Sequence, residues 1–208
     1  MTIIQGSPEW FALRLGKVTA SRVADIVAKT KSGPSTSRAN YMAQLITERL
    51  TGTVQESFSN AAMQWGTDKE PEARAAYEFY HASVEQVAFT PHPTIDQAGC
   101  SPDGLVDDDG LIEIKCPNSA THLETLLGQV VPAKYETQIQ FQLACTGRKW
   151  CDFVSYDPRM PETMRLFVKR VERNDKRIKE LETEIAGFLL EMAVKLSELN
   201  SIYNKEAA

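Results

Sequence analysis

Residues 101–117 read SPDGLVDDDGLIEIKCP, and this stretch decides the fold. Three aspartates followed by a glycine, at residues 107–110, are a strong signal for a tight turn between two strands. The turn predicts a β-hairpin whose strands cover residues 100–106 and 111–116. Both strands are rich in apolar residues, so we expect the hairpin to contribute to a buried sheet.

The second strand of this hairpin carries charged side chains in a defined pattern. Side chains alternate across a strand, so Glu113 and Lys115 share one face. Ile112 and Ile114 point to the other face, into the core. The hairpin folds Asp103 back beside them. Two carboxylates and an ammonium group are therefore expected to converge at one place.

This combination of groups suits metal-dependent phosphodiester chemistry. Mg²⁺ prefers oxygen ligands, and Asp103, Glu113 and a backbone carbonyl such as that of Ile114 supply them. One or two bound ions polarise a phosphate and activate a water molecule, while Lys115 orients or deprotonates that water. Taken alone, the Asp-Gly pair is ordinary turn chemistry, and a Glu-x-Lys pair is often a solvated strand face. The two motifs together favour an active site.

Helices are predicted in the first quarter of the chain. Ser7 is a suitable N-cap, and the proline after it suits the first helical position. A second helix should follow Thr19, and a third should open at Ser37 or Asn40 and end at Gly52. The second carries Val23, Ile26 and Val27 at spacings that produce one apolar face.

The next segment changes from helix to strand. A helix carrying Glu70 is predicted beyond Gly66, and Pro71 fits it only in the first turn. Residues 84–89 alternate apolar and polar side chains, which predicts a half-buried strand.

After the hairpin, helices and strands alternate again. Residues 132–146 are predicted to form a helix, and residues 150–156 and 164–171 two strands. A long helix with one apolar stripe begins at about Asn174. Without internal repeats or a clear linker, residues 1–208 are predicted to form a single mixed α/β domain.

Bulk composition is consistent with a globular protein and says little about its partners. Hydrophobic residues make up 42%, enough for a core, and no apolar run reaches the ~20 residues of a membrane span. The segment Met1 to Glu9 lacks the pattern of a signal peptide, so we expect a cytoplasmic protein without a membrane partner. The net charge of −5 does not favour a polyanion, but binding depends on the local field.

Four cysteines are present, at positions 100, 116, 145 and 151. Their spacing lacks the close pairs of structural zinc sites. We interpret them as reduced thiols that mostly fill the core; an iron–sulfur cluster is the weaker alternative.

Pro102-Asp103 followed by Glu113-Ile114-Lys115 resembles the signature of the PD-(D/E)xK nuclease superfamily. Further matches narrow the resemblance to the lambda exonuclease family, also called YqaJ-like viral recombinases. They run in order over residues 10 to about 160: Trp10 with Leu13-Arg14-Leu15-Gly16, Thr19-Ala20-Ser21, Trp65-Gly66 followed by Glu70, Ser101-Pro102-Asp103-Gly104-Leu105, Lys115-Cys116-Pro117, Tyr135 with Gln138 and Gln140, and Tyr156-Asp157-Pro158-Arg159-Met160. The resemblance implies a restriction-endonuclease-like α/β core, with a central mixed sheet flanked by helices.

The resemblance also implies roles for individual residues at the metal site. Asp103 and Glu113 match metal-binding carboxylates, the carbonyl of Ile114 matches a backbone ligand, and Glu70 completes the site. The catalytic residues are the two carboxylates together with a lysine and an active-site glutamine, which correspond to Lys115 and Gln138. On its own, Glu70 would be interpreted as a solvated residue in the first turn of a helix.

A second group of residues matches the part of the family that binds DNA ends. Arg14, Ser21 and Ser101 match residues that hold a terminal 5′-phosphate, and a guanidinium with hydroxyl donors suits a phosphate monoester. Gln138 belongs to this DNA-binding set as well. Met63 matches an apolar wedge that separates the strands at the duplex end, although a buried core methionine is the alternative. The histidines match nothing catalytic and are expected to be structural.

The implied activity is Mg²⁺-dependent digestion of one strand of duplex DNA in the 5′→3′ direction, with Mn²⁺ as a possible substitute. It leaves 3′ single-stranded tails for a single-strand annealing protein. The implied assembly is a homotrimeric ring around DNA, encoded by a phage or prophage of a bacterial host. Two alternatives are an endonuclease with the same core and a degenerate DNA-binding or annealing module.

Overall fold

The computed structural model describes residues 3–31, 33–55 and 61–203. The helices are α1 (Pro8–Arg14), α2 (Val23–Val27), α3 (Thr36–Thr51), α4 (Ala61–Tyr80), α5 (Ser119–Gly128), α6 (Ala133–Thr146) and α7 (Asp175–Tyr203), with short 3₁₀ turns at Ala20–Arg22 and Glu162–Met164. The strands are β1 (Val18–Thr19), β2 (Lys29–Thr30), β3 (Gly33–Pro34), β4 (Val84–Glu85), β5 (Thr90–Pro91), β6 (Ala98–Cys100), β7 (Gly104–Val106), β8 (Gly110–Lys115), β9 (Trp150–Tyr156) and β10 (Leu166–Glu172).

The main sheet has the strand order β10-β9-β8-β7-β4. Strands β8 and β9 are parallel, and every other neighbouring pair in this sheet is antiparallel. A smaller sheet, β1-β6-β5, lies beside it. The predicted α/β class with a mixed sheet and flanking helices is therefore confirmed.

The hairpin between β7 and β8 is confirmed, and its turn is specified by two residues. Asp107 has a positive φ of 47°, which aspartate tolerates better than most residues. A Cβ added to Gly110 would meet the Trp150 ring at 2.1 Å, so a glycine is required for β8 to approach the start of β9.

Both faces of β8 are buried. Ile112 and Ile114 pack into a core cluster with Tyr77 of α4, as predicted. Leu111 belongs to the larger cluster on the other face, formed mainly with α2, α3, α6 and α7. Glu113 lies on this second face and is 0% exposed. A carboxylate is thus placed between a sheet and a helical layer, where it needs protein donors.

The prediction of a single strand at residues 100–106 is wrong. The chain forms β6 and β7 in two different sheets, and Ser101, Pro102 and Asp103 lie between them. Proline cannot donate a ladder hydrogen bond, which favours a break at this point. The interruption releases the side chains of Ser101 and Asp103 from a regular strand, so Ser101 bonds to Arg14 and Asp103 to the backbone of Ile114.

Three further expectations need correction. Helix α4 starts at Ala61 instead of beyond Gly66, so Pro71 lies inside the helix and not in its first turn. Pro71 is exposed, where water can bond to the carbonyl that lacks a donor. The strand at residues 84–89 shortens to β4. Helix α5 was not anticipated because the residues it buries, His122 and Thr125, are polar.

The long C-terminal helix is joined to α6 by one side chain. Gln140 donates to the carbonyl of Glu172 at 2.8 Å and accepts from the backbone N–H of Asn174 at 2.8 Å. It thereby fixes the start of α7, whose buried residues pack on the larger core cluster. Among the described residues, no helix is long and apolar enough to cross a bilayer.

All four cysteines are free and buried, which confirms their interpretation as core thiols. Cys116 packs in the cluster on the α4 side of the sheet, and the other three pack in the cluster on the opposite side. The sheet therefore separates them, which is incompatible with one shared cluster. His92 and His122 are also buried and bonded within the fold, as expected of structural histidines.

Candidate active site

Glu113 is enclosed by hydrogen-bond donors. Its Oε1 accepts from Gln138 Nε2 at 2.7 Å and from the ammonium of Lys115. Its Oε2 accepts from Gln142 Nε2 at 2.6 Å. Charge-assisted hydrogen bonds of this kind offset the cost of burying a carboxylate. Strand β8 and helix α6 together build this centre.

Asp103 lies beside Glu113 because the break after β6 turns it toward β8. Its Oδ2 accepts from the backbone N–H of Ile114 at 2.6 Å. The N–H and C=O of a residue in a strand point to the same edge, so the Ile114 carbonyl is on the Asp103 side. Burial and the adjacent charge of Glu113 raise the pKa of Asp103 well above its ordinary value.

Lys115 completes the group predicted from the hairpin. Although burial opposes its charge, the carboxylates of Glu113 and Asp103 raise the pKa of Lys115. Its Nζ also lies 5.2 Å from the centroid of the Tyr135 ring. The structure thus brings the predicted carboxylates and ammonium together, and the two carboxylates favour the charged form of Lys115.

We call the space in front of these groups the carboxylate cavity. It has a volume of about 620 Å³ and is lined by Met63, Glu70, Asp103, Ile114, Lys115 and Tyr135, among others. Glu70 reaches it from α4 and is ion-paired to Arg74 one turn later in the helix. Its role at a metal stays a prediction. The negative charge of Glu70 contributes to the raised pKa of Asp103.

The donor set suits a hard divalent cation. The carboxylates of Glu70, Asp103 and Glu113 and the Ile114 carbonyl are all oxygen donors. Within the described part of the chain, no three Asp, Glu, His or Cys side chains are positioned to ligate one ion as they stand. Protein donors occupy the carboxylates instead. Burial, and after it the negative charge of Glu113 and Glu70, raises the pKa of Asp103, and a cation would relieve the contribution of that charge.

A second cavity, which we call the arginine cavity, lies next to the first. It has a volume of about 270 Å³, and its lining includes Arg14, Lys17, Ser21, Arg22, Tyr41 and Met63. Arg14 stacks on the Trp10 ring at 4.0 Å, and its Nη1 donates to Ser101 Oγ at 3.2 Å. Among the described residues, no carboxylate forms an ion pair with Arg14.

The neighbouring groups leave Arg14 available to an anion. Glu48, the nearby carboxylate, accepts from the backbone N–H of Gly16 at 2.9 Å and from Gln44 at 2.9 Å. Ser21 Oγ lies 3.4 Å from Thr19 Oγ1 at the cavity wall. Burial lowers the pKa of Arg14, yet a guanidinium stays charged in proteins. Arg14 and Ser21 therefore line one cavity, and Ser101 is bonded to Arg14. Their role in holding a 5′-phosphate stays a prediction.

Met63 lines both cavities, and its residue surface is 52% exposed. The alternative of a buried core methionine is therefore wrong. An exposed apolar side chain between two polar cavities is compatible with a wedge, although its contact with DNA stays a prediction.

Gln142 was missed by the sequence interpretation. It follows Gln138 by four residues, so both amides project from the same face of α6 toward Glu113. The signal in the sequence is a glutamine among the apolar side chains of a buried helix. It becomes informative only once that helix is known to face Glu113.

Comparison with known proteins identifies relatives of this chain. The model of the YqaJ-like viral recombinase domain matches residues 9–149. An alkaline exonuclease (LHK-Exo) from Laribacter hongkongensis is 52% identical, with a TM-score of 0.90 over 97% of this chain and 100% of that chain. LHK-Exo in complex with dAMP gives 53% identity and a TM-score of 0.91 over the same shares.

A phage related exonuclease from Haemophilus somnus 129PT is 14% identical, with a TM-score of 0.71 over 88% of this chain and 96% of that chain. This similarity shows a shared fold alone. No curated protein gives a significant match.

Proposed function

Because the chain belongs to the YqaJ-like viral recombinase domain family, we propose that it degrades one strand of duplex DNA in the 5′→3′ direction. Its assignment as an exonuclease is supported by 52% identity to LHK-Exo, an alkaline exonuclease, over nearly the whole of both chains. LHK-Exo has been crystallised with dAMP, a deoxynucleoside monophosphate. A nucleotide of this kind is what an exonuclease releases at each step.

The observation that carries the direction of digestion is the arginine cavity. Its guanidinium has no carboxylate partner in the described part of the chain. Arg14 donates to the hydroxyl of Ser101, and the hydroxyl of Ser21 lines the same cavity. Ser101 faces Arg14, whereas Asp103, two residues later, faces Ile114 of the carboxylate cavity. A 5′-phosphate held by Arg14, Ser21 and Ser101 would therefore lie next to the groups that hydrolyse the adjoining strand. An endonuclease has no need for a terminal phosphate pocket.

We propose that Glu70, Asp103, Glu113 and the Ile114 carbonyl hold Mg²⁺, with two ions as the expected number and Mn²⁺ as a substitute. When bound, the metal polarises the scissile phosphate and lowers the pKa of the attacking water. Lys115 has no lone pair to offer while protonated, so it is not a ligand. It orients the water and offsets the negative charge that develops on the phosphate oxygens.

Gln138 holds Glu113 from α6 and is only half-buried, so its amide can also reach toward the substrate. Hydrolysis breaks the bond between phosphorus and the 3′ oxygen of the terminal nucleotide, which leaves as a hydroxyl with a proton from the water. The rest of the water adds to phosphorus, so the next nucleotide keeps a 5′-phosphate. The side chains hold the reacting groups in place, which is a main source of rate in phosphoryl transfer.

The assembly and its partners are proposed from family membership alone. We propose a homotrimeric ring that encircles duplex DNA ends. The 3′ single-stranded tails it leaves would pass to a single-strand annealing protein. Size-exclusion chromatography with light scattering tests the trimer directly.

Digestion of linear duplexes labelled at either end tests the activity. We expect release of labelled nucleotide from 5′ ends before 3′ ends, dependence on Mg²⁺ or Mn²⁺, and inhibition by a chelator. A closed circular duplex serves as the control, because an exonuclease leaves it intact. Cleavage of the circle would favour the endonuclease alternative. Loss of the 3′ label first would contradict the proposed direction.

A further inference from the structure

Helix α6 carries three glutamines at alternate positions, Gln138, Gln140 and Gln142. Successive residues of a helix are rotated by about 100°, so the first and third share a face and the second lies nearly opposite. The contacts follow this geometry. Gln138 and Gln142 donate to Glu113, whereas Gln140 bonds to the start of α7.

Gln142 is fully buried, and its neighbours in the helix are the core residues Phe141 and Leu143. Its Nε2 donates to Glu113 Oε2 at 2.6 Å, whereas its Oε1 has no hydrogen-bond partner among the described residues. An unpaired buried carbonyl is costly, and an apolar side chain of similar size would avoid the cost. Among the side-chain contacts of residue 142, Glu113 alone explains a polar residue here.

The two oxygens of Glu113 are held in different ways. Oε1 is shared by Lys115 and Gln138, which are both partly exposed. Oε2 is held by Gln142, which is 0% exposed and cannot turn toward solvent or substrate. If Lys115 and Gln138 turn toward phosphate and water during the reaction, Gln142 still holds the carboxylate from the core side.

We propose that Gln142 is a positioning residue that fixes the Glu113 carboxylate in the orientation needed to ligate the metal. This inference rests on the proposed function. Outer partners of metal ligands act in this way because they set the direction of the ligand's lone pairs. The rotation of Glu113 about its last side-chain bond is then limited by donors on both oxygens.

Gln142→Met removes the donor with little change in volume, and Gln140→Met is the matched control on the same helix. Calorimetric titration with Mn²⁺ on catalytically idle, DNA-free protein measures the affinity. Thermal unfolding in the presence of a chelator measures the melting temperature of the metal-free protein. We expect Gln142→Met to weaken Mn²⁺ binding about ten-fold. The variant should also have a lower metal-free melting temperature, because Glu113 Oε2 then lacks its donor. Gln140→Met should lower the melting temperature and leave the Mn²⁺ affinity unchanged.

Equal Mn²⁺ affinity of the wild type and Gln142→Met would overturn the inference. The inference would also be overturned if Mn²⁺ affinity fell in proportion to the melting temperature in both variants. Gln142 would then act only through the stability of the fold. If Gln142→Met fails to fold, Gln142→Asn provides the same comparison. It keeps the amide but is one methylene too short to reach Oε2, so we expect the same weakened binding. A wild type that binds no Mn²⁺ would instead contradict the proposed metal chemistry itself.

Discussion

The carboxylate cavity and the arginine cavity share Met63 but satisfy their charges in opposite ways. In the first, Asp103 accepts from a backbone N–H and Glu70 is ion-paired. The neighbouring Glu113 is buried and enclosed by three donors, one of them Lys115 of the cavity wall. In the second, the guanidinium of Arg14 rests on an indole ring and a hydroxyl, without a carboxylate partner in the described residues. The first cavity is an internal network that a cation can enter. The second presents a positive group to an anion.

This difference also explains how an acidic chain can be proposed to hold DNA. The net charge of −5 is a sum over the whole protein. It includes carboxylates that the proposed metal would neutralise. The phosphate that must be recognised meets the local field of the arginine cavity, where Arg14 and Lys17 both line the wall.

The largest expected effect on the rate of digestion comes from removing a carboxylate at the carboxylate cavity. Asp103→Ala and Glu113→Ala should each reduce digestion by about 10³-fold or more, because each removes a proposed metal ligand worth several kcal/mol. Initial rates on a 5′-phosphorylated duplex in Mg²⁺ provide the measurement. Asp109→Ala is the control, because Asp109 pairs with Lys149 on the exposed hairpin. Near-wild-type rates in either site variant would contradict the assignment.

The carboxylate cavity is also expected to lower the stability of the metal-free protein. Burial beside Glu113 raises the pKa of Asp103, so the folded state binds its proton more tightly than the unfolded state does. The contribution of Asp103 to the free energy of unfolding therefore falls as pH rises from the pKa of Asp103 in the unfolded state toward its pKa in the folded state. At neutral pH this group destabilises the fold. Asp103→Asn should accordingly raise the melting temperature in a chelator at pH 7 while abolishing activity.

Lys115→Met separates rate from metal binding within the carboxylate cavity. The variant should lose about 10²- to 10⁴-fold in rate, the usual contribution of a group that orients or transfers a proton. Its Mn²⁺ affinity should stay close to that of the wild type, because an ammonium is not a ligand. Calorimetry beside the rate assay checks both, and loss of metal binding along with activity would show that the roles are not separable.

Arg14→Ala tests the arginine cavity. The wild type should prefer 5′-phosphorylated over 5′-hydroxyl ends, and the variant should lose that preference. The expected loss is about ten- to a hundred-fold on phosphorylated ends, which corresponds to about 1.5–3 kcal/mol for a charge-assisted contact. Arg14→Lys should rescue only part of it, because an ammonium cannot form a planar fork.

The matched control for Arg14 is Arg177→Ala, a cation on the exposed face of α7 that pairs with Glu180. If Arg14→Ala slows both kinds of end equally, Arg14 is a general backbone contact. The main residue-level reason for an end-directed enzyme would then be lost.

The smallest effect concerns the residue between the cavities. Met63→Ala should slow digestion of blunt duplexes about five-fold, equivalent to about 1 kcal/mol of strand separation at the end. A duplex whose end is already frayed by mismatches should be digested at the wild-type rate. Comparable slowing on both substrates would argue that Met63 is not a wedge.

Local sequence signals predicted the hairpin and the faces of β8. Asp107-Asp108-Asp109-Gly110 specifies a turn, and alternation then places Glu113 and Lys115 together. Strand β9 is also predicted with its observed bounds, because residues 150–156 form a short apolar run between turn residues.

The features that failed depend on contacts distant in the sequence. The chain leaves one sheet at Cys100 and enters another at Gly104. Pro102 favours the break, but the sheet that each segment joins is set by pairing with β1 and β8. The role of Gln142 depends on which face of β8 lies under α6. No local propensity encodes either relation, because both are set by tertiary packing.

The burial of Glu113 has a consequence for the order in which the chain folds. Gln138 and Gln142 follow Glu113 by 25 and 29 residues, and β8 pairs in parallel with β9 only after the helices between them. Before α6 has packed, docking of β8 onto the helical layer would remove water from the Glu113 carboxylate while its two amide donors are not yet in place. The nascent hairpin is therefore expected to stay hydrated on that face during synthesis. Docking of the hairpin and of α6 becomes one cooperative event, with the loop-closure cost of a non-local contact.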